Sequence, residues 1–225
     1  MAKSTNYSKL FARFQVRILE WSTGNLRQFP WRKKRIHAYN VFLAEMLLKR
    51  TTAKAASSVY VEVKKKFPSV RKLAIAREKD LVELVKPIGY QQRAKEMVTA
   101  ARFILKNFGI AFPRQKEQLL TIPYVGDYTS SAIMSLSYNK PFAMVDSNVN
   151  RIISRVFFGR NATSNISNEV KEIASQLVPK KEQREFNLAM LDIGGTICLP
   201  RQPRCAICPL EELCKFRQAS EIGVQ

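Results

Sequence analysis

From residue 5 onward, apolar side chains recur every three or four positions, and nearly every such stretch is closed by a proline or a glycine. The alternation that marks a strand is almost absent. A chain written this way can form short amphipathic helices with tight connections and little else. The spacing predicts helices over 5–21, ending near Gly24, and over 38–50, 53–67, 70–76, 78–86, 91–108, 148–159, 167–178 and 182–193. Pro68, Pro87, Gly89, Gly109 and Pro113 punctuate the middle of the chain. No repeat, low-complexity tract or Gly/Ser linker interrupts the pattern. We therefore expect an all-α protein, and with 225 residues of which 46% are hydrophobic it can bury one core or two small ones.

Charge narrows what such a bundle can serve. Lys and Arg number 38 against 18 Asp and Glu, a formal net charge of +20. That exceeds what solubility needs and points to an extended polyanion, nucleic acid first. A merely lysine-rich surface is the plainer alternative. No apolar run approaches the roughly 20 residues of a membrane span. The opening "MAKSTNYSKLFARF" also lacks the apolar core of a secretion signal, so a place in the cytoplasm, associated with the nucleoid, is expected.

All four cysteines fall in "CLPRQPRCAICPLEELC": Cys198, Cys205, Cys208 and Cys214, spaced C-x6-C-x2-C-x5-C. A reducing interior would not use them for disulfides, so they are expected to bind metal. Structural zinc favours paired C-x2-C knuckles, of which there is one, and the single histidine, His37, is remote in sequence. Four thiolates in one short loop suit a [4Fe-4S] cluster better.

Two further stretches carry chemistry. In "TIPYVGDYTSSAI" a Pro and a Gly stop one helix, and Asp127 and Thr129 open the next. The free N–H groups of the new helix and the positive end of its dipole can hold one phosphate without reading base sequence. An ordinary helical corner is the alternative. In "AMVDSNVNRIISRVF", Asp146 precedes a helix whose apolar face is Val149, Ile152, Ile153 and Val156, and a plain N-cap would account for it.

Hairpin, downstream Asp and cysteine spacing, in this order, resemble the helix-hairpin-helix DNA glycosylases of the endonuclease III and MutY superfamily. The likeness spans about residues 29–214. The resemblance implies a two-lobed glycosylase fold: a helical barrel lobe with the hairpin, 29–139, and a lobe formed by 1–28 and 140–225 that carries the iron-sulfur loop, 198–214. An active site in the cleft between them is expected. In that superfamily the hairpin usually reads L-P-G-V-G. Here Tyr124 stands in place of the first Gly, so the turn either avoids positive φ there or tolerates strain.

By the same resemblance Asp146 is the catalytic carboxylate. Breaking an N-glycosidic bond builds positive charge on the sugar, which a nearby carboxylate stabilises. Members that also cut the strand carry a Lys at the position of Tyr128. A phenol cannot form the imine, so a monofunctional enzyme using water is expected, with Tyr128 lining the pocket.

Glu45 lies among apolar neighbours and should face a partner or the pocket. A Glu here serves adenine-removing and thymine- or uracil-removing branches alike. Lys49-Arg50-Thr51-Thr52-Ala53 resembles the archaeal thymine-DNA mismatch glycosylases rather than the Gln-Gln-Thr-Gln run of MutY. Only 215–225 follow the cysteines, too few for MutY's further domain. Removal of thymine or uracil opposite guanine is thus favoured over a MutY-like removal of adenine from A:G or A:8-oxoguanine. A non-catalytic iron-sulfur DNA-binding protein is the third reading.

The expected partner is double-stranded DNA with a mismatch, bound by a monomer. Arg50 aligns with a wedge residue and Tyr90 with a second insertion loop. Lys49, Tyr124, Gly126 and Thr129 are expected at the backbone, with Arg201 and Arg204 on a basic finger between the first two cysteines. Phe29 and Trp31 are read as core packing rather than base stacking.

Overall fold

The computed structural model describes residues 2–222, with side chains from 7 to 219. Among the described residues it is all helical, with no strand. Twelve α-helices follow one another: α1 Ala2–Asn25, α2 Ala38–Leu48, α3 Ala53–Lys66, α4 Val70–Ala74, α5 Glu78–Val85, α6 Gln92–Phe108, α7 Lys116–Leu120, α8 Asp127–Tyr138, α9 Ser147–Phe158, α10 Asn168–Leu177, α11 Gln183–Thr196 and α12 Lys215–Ile222. The chain divides into two compact units, Gln28–Tyr138, and Met1–Arg27 with Asn139–Gln225.

In the Gln28–Tyr138 unit, α2 is the central rod. It is buried from Tyr39 through Leu47 with the exception of Asn40, and it packs on α3, α6 and α8. A helix apolar on every side has no solvent face to offer, which is why its neighbours enclose it. Thr52 caps α3 by accepting from Ala55 N at 3.2 Å, and Ser69 caps α4 by accepting from Lys72 N at 3.3 Å. Trp31 is buried, stacked on Phe29 with ring centroids 5.2 Å apart and edge-on to Tyr60. Trp31 is core, and the half-buried Phe29 packs against it.

The helix expected to reach Arg50 stops at Leu48 instead. Its last carbonyls are taken by a side chain from elsewhere: the guanidinium of Arg93 on α6 donates to Leu47 O, and to Lys49 O at 2.7 Å. Helix ends leave carbonyls without partners, and a cation there satisfies them and the dipole together. Lys49 then turns extended and Arg50 takes φ +55°.

In the other unit, α1 lies on α11 and α10, and α9 packs on α10, α11 and α12. Phe14 and Ile18 of α1 meet Val149, Ile152, Ile153 and Val156 of α9 in one apolar core, so the stripe read from α9 is the buried face. Helical geometry in α1 breaks at Thr23 and Gly24, where φ is +83°. Beyond it Arg27 pairs with the fully buried Asp192, Nε to Oδ1 at 2.6 Å and the backbone N to Oδ2 at 2.9 Å. The helix expected to end at 193 runs on through Gly194 and Gly195 to Thr196. A Cβ on Gly194 would stand 2.5 Å from Asn148 Cβ, so the glycine serves close approach of α11 to α9 rather than a stop.

Candidate functional site

The hairpin is built by short backbone bonds: Ile122 N donates to Leu119 O at 3.2 Å and Val125 N to Ile122 O at 3.1 Å. Tyr124 tolerates the strain, with φ +66° and a half-exposed ring. Lys116 on α7 and Asp127 on α8 join the two helices at 2.7 Å. Gly126 is exposed at the entry to α8, with nothing within 4 Å of where a Cβ would sit. Thr129 is buried, so what it can offer an anion is its backbone N–H, not its hydroxyl. Tyr128 is half-buried on the first turn of α8, and Glu45 is buried on α2, which packs against that helix.

Asp146 is the N-cap of α9, as its sequence position suggested, and it does more than cap. Oδ1 accepts from Asn148 N at 2.8 Å and Val149 N at 2.9 Å, while Oδ2 accepts from Asn148 Nδ2 at 2.7 Å. The residue stays partly exposed. Backbone, side-chain amide and helix dipole therefore fix the carboxylate's orientation before anything binds.

Two arginines one turn apart on α9 reach the cysteine segment. Arg151 Nε donates to Cys198 O at 2.7 Å, and its Nη2 to Asn148 Oδ1 at 2.9 Å and Gly194 O at 2.7 Å. Arg155 Nη1 donates to Leu199 O at 2.7 Å and lies 3.4 Å from Cys198 Sγ. Cys198, Cys205, Cys208 and Cys214 are free thiols lining one recess with Arg155 and Arg217. Burial pushes the Cys208 thiol up to about 12 and raises Cys205 and Cys214 as well. Among the described residues no three His, Cys, Asp or Glu are grouped to hold one metal ion. Arg201 and Arg204 are exposed on the same loop.

The two loops expected to enter a duplex meet at residues that sequence reasoning missed. Arg50 is exposed and stacks over the Tyr90 ring, 4.8 Å from its centroid. Tyr90 OH donates to Glu96 Oε1 at 2.5 Å, and Lys49 Nζ donates to Glu96 Oε2 at 2.9 Å and to Tyr124 O at 3.3 Å. Burial pushes the Glu96 carboxyl up, but hydrogen bonds from Tyr90 and Lys49 and the charges of Lys49 and Arg93 outweigh it, leaving it below its ordinary value. The bond to Glu96 in turn holds the Tyr90 phenol above its ordinary value. Arg93, fully buried, also donates to Tyr90 O at 3.1 Å. A signal for both was available: Arg93 shares one face of α6 with Met97, Ala100, Ala101 and Ile104, and a charge in an apolar stripe needs partners.

Residues 43–180 match a family described as "HhH-GPD superfamily base excision DNA repair protein". Over 198 residues, 87% of this chain and 89% of the relative, the chain is 35% identical to a thymine/uracil-DNA glycosylase of Methanothermobacter thermautotrophicus. It is 32% identical to the human adenine DNA glycosylase over 92% of this chain, but spans only 40% of that relative. Among solved structures, a thermostable thymine-DNA glycosylase superposes with a TM-score of 0.88 at 33% identity, covering 95% of this chain and 99% of the other.

Proposed function

The chain belongs to the HhH-GPD superfamily of base excision DNA repair proteins, and from that premise we propose that it hydrolyses the N-glycosidic bond of a thymine or uracil mispaired with guanine. It is a DNA glycosylase and its partner is DNA. The observation that carries the hydrolytic reading is Asp146, a partly exposed carboxylate whose two oxygens are oriented by three N–H donors at a helix start. As the base departs, the sugar becomes oxocarbenium-like, and an anion oriented in advance stabilises that charge without reorganising. Water then completes the substitution at C1' and an abasic site remains.

Tyr128 supports a monofunctional enzyme, because a phenol offers no amine for an imine. Lys49 is a poor substitute, since its Nζ is ion-paired to Glu96 and bonded to the Tyr124 carbonyl. Glu45, buried beside α8, is the group we assign to proton transfer at the base. Arg50 and Tyr90 fill the space left by the extruded nucleotide and contact the orphaned guanine. The N–H groups opening α8, at Gly126 and Thr129, take a phosphate, as do Arg201 and Arg204. The run Lys49-Arg50-Thr51-Thr52-Ala53, together with the archaeal thymine/uracil relative, supports a pyrimidine rather than adenine.

Cys198, Cys205, Cys208 and Cys214 suit a [4Fe-4S] cluster. All four thiols line one recess, and each thiolate of such a cluster binds a different iron, so this donor set fits the group. When bound, the cluster would supply a covalent anchor for the loop and the capacity to exchange one electron. Arg151 and Arg155 hold the surrounding carbonyls, so this chain contributes a rigid frame for the finger bearing Arg201 and Arg204.

Duplexes with single G:T, G:U, A:G and A:8-oxoguanine pairs, treated with alkali after incubation, test the proposal. Cleavage at the pyrimidine of G:T or G:U is expected, and its loss in Asp146→Asn with mismatch binding intact. Cleavage confined to the adenine strands would overturn the base assignment. Survival of activity in Asp146→Asn would overturn the catalytic one.

A further inference from the structure

Three backbone tips in the Gln28–Tyr138 unit carry a non-glycine residue at positive φ: Arg50 at +55°, Tyr90 at +42° and Tyr124 at +66°. Each such conformation is strained for a residue with a Cβ and persists only where surrounding contacts impose it. Here the three are held from one place. The Glu96 carboxylate, 6% exposed, takes the Tyr90 hydroxyl on one oxygen and the Lys49 ammonium on the other. That ammonium reaches on to the Tyr124 carbonyl and lies 5.7 Å from the Tyr124 ring centroid. Beside it Arg93 donates to Leu47 O, Lys49 O, Tyr90 O and Ile88 O, closing the two strained turns onto α6.

We infer that Glu96 is a positioning residue for mismatch recognition, its carboxylate fixing the Arg50 turn, the Tyr90 loop and the hairpin carbonyl in the arrangement that a distorted duplex must meet. The inference rests on the reading that Arg50 and Tyr90 enter the duplex. Its physical content is preorganisation. A flexible Tyr90 and a wandering Arg50 would still attract phosphate, but ordering them on contact would consume the small energy difference that separates a mismatch from a matched pair. Glu96 therefore governs selectivity and leaves general affinity for DNA to the basic surface. A buried ion pair kept only for stability would have no reason to link three separate strained tips.

The test compares wild type with Glu96→Gln, Tyr90→Phe, their combination, and Tyr90→Ala. Three readouts are taken: affinity for a G:T duplex, affinity for the same duplex fully paired, and fluorescence of 2-aminopurine placed beside the mismatch as a reporter of unstacking. We expect Glu96→Gln to lower the ratio of mismatched to matched affinity by about tenfold and to weaken the unstacking signal, with matched affinity within about twofold of wild type. Tyr90→Phe keeps the ring and removes one bond, so a smaller loss in the same ratio is expected. The double variant should be no worse than Glu96→Gln, because both act through one contact. If Glu96→Gln does not fold, Tyr90→Phe alone carries the test, since it removes one hydroxyl from a half-buried residue and leaves the ring in place. Equal losses for mismatched and matched duplexes, or a drop in thermal midpoint with the ratio unchanged, overturn the inference. If Tyr90→Ala also leaves the ratio unchanged, the insertion role of Tyr90 itself falls. A ratio lowered by Tyr90→Ala and untouched by both Glu96→Gln and Tyr90→Phe sinks only the role of Glu96.

Discussion

At the scale of single residues, chemistry was more legible than support. The cysteines stood out by spacing and residue type, whereas Asp146 and Tyr128 were singled out by their match to a superfamily's pattern, which the chemistry of a carboxylate and a phenol then made interpretable. Glu96 and Arg93 were only half legible: a charge in the apolar stripe of α6 demands partners, but those partners lie 44 to 47 residues away in sequence. Their protonation gives a direct check. Glu96 titrates below its ordinary value of 4.5 when folded, so its stabilisation is complete above that pH and is lost as pH falls through the folded value. Tyr90 titrates above its ordinary value of 10.0, so its share is complete below that pH and is lost as pH rises through the folded value. The difference in thermal midpoint between wild type and Glu96→Gln should therefore be flat between these limits and shrink beyond each. A difference that varies steadily through neutral pH would point to another group. Tyr128 offers a second check: Tyr128→Lys should permit borohydride to trap a covalent complex with DNA, whereas wild type should give none, and trapping in wild type would end the monofunctional reading.

At the scale of elements, periodicity located the helices, and contacts decided where they stop. α2 ends early because Arg93 occupies its carbonyls, and α11 runs late because Gly194 and Gly195 face neighbours instead of breaking the helix. Composition alone reads a Gly-Gly pair as a stop, since it shows the missing side chain and not what fills the space. Gly194→Ala tests the contact. Its Cβ would stand 2.5 Å from Asn148 Cβ and 3.3 Å from Asn148 backbone, so α9 or α11 must shift, at a cost of about 1–3 kcal/mol. Asn148 bonds both oxygens of Asp146, so glycosylase rate should fall along with the thermal midpoint. Gly126→Ala is the control: a Cβ there meets nothing within 4 Å, and folding stability should stay within about 0.5 kcal/mol of wild type. A Gly194→Ala protein as stable and active as wild type would show that the two helices have slack where the structure leaves none.

At the scale of the whole molecule, the net charge of +20 foretold a polyanion but not which cations touch it. Most of the 38 basic residues must serve only the long-range field, and that division sets the form of the final prediction. Affinity for fully paired duplex should fall linearly in logarithm with the logarithm of salt concentration, with a slope of about −0.9 for each phosphate neutralised. A lysine that contributes only field lines changes the intercept slightly and leaves the slope, whereas a side chain seated on a phosphate releases its counterion and carries one unit of slope. Arg201 and Arg204 are exposed on the segment between Cys198 and Cys205, whose carbonyls at Cys198, Leu199 and Pro200 are held by Arg151 and Arg155. Replacing either Arg201 or Arg204 by Ala should therefore reduce the slope by about one, equally for matched and mismatched duplexes, because phosphate contacts carry no base information. Lys79→Ala, on the exposed start of α5, should leave it unchanged. An unchanged slope for both arginine variants would remove the cysteine loop from the DNA interface, and the four cysteines would then be left with the task of stabilising the unit that holds Asp146.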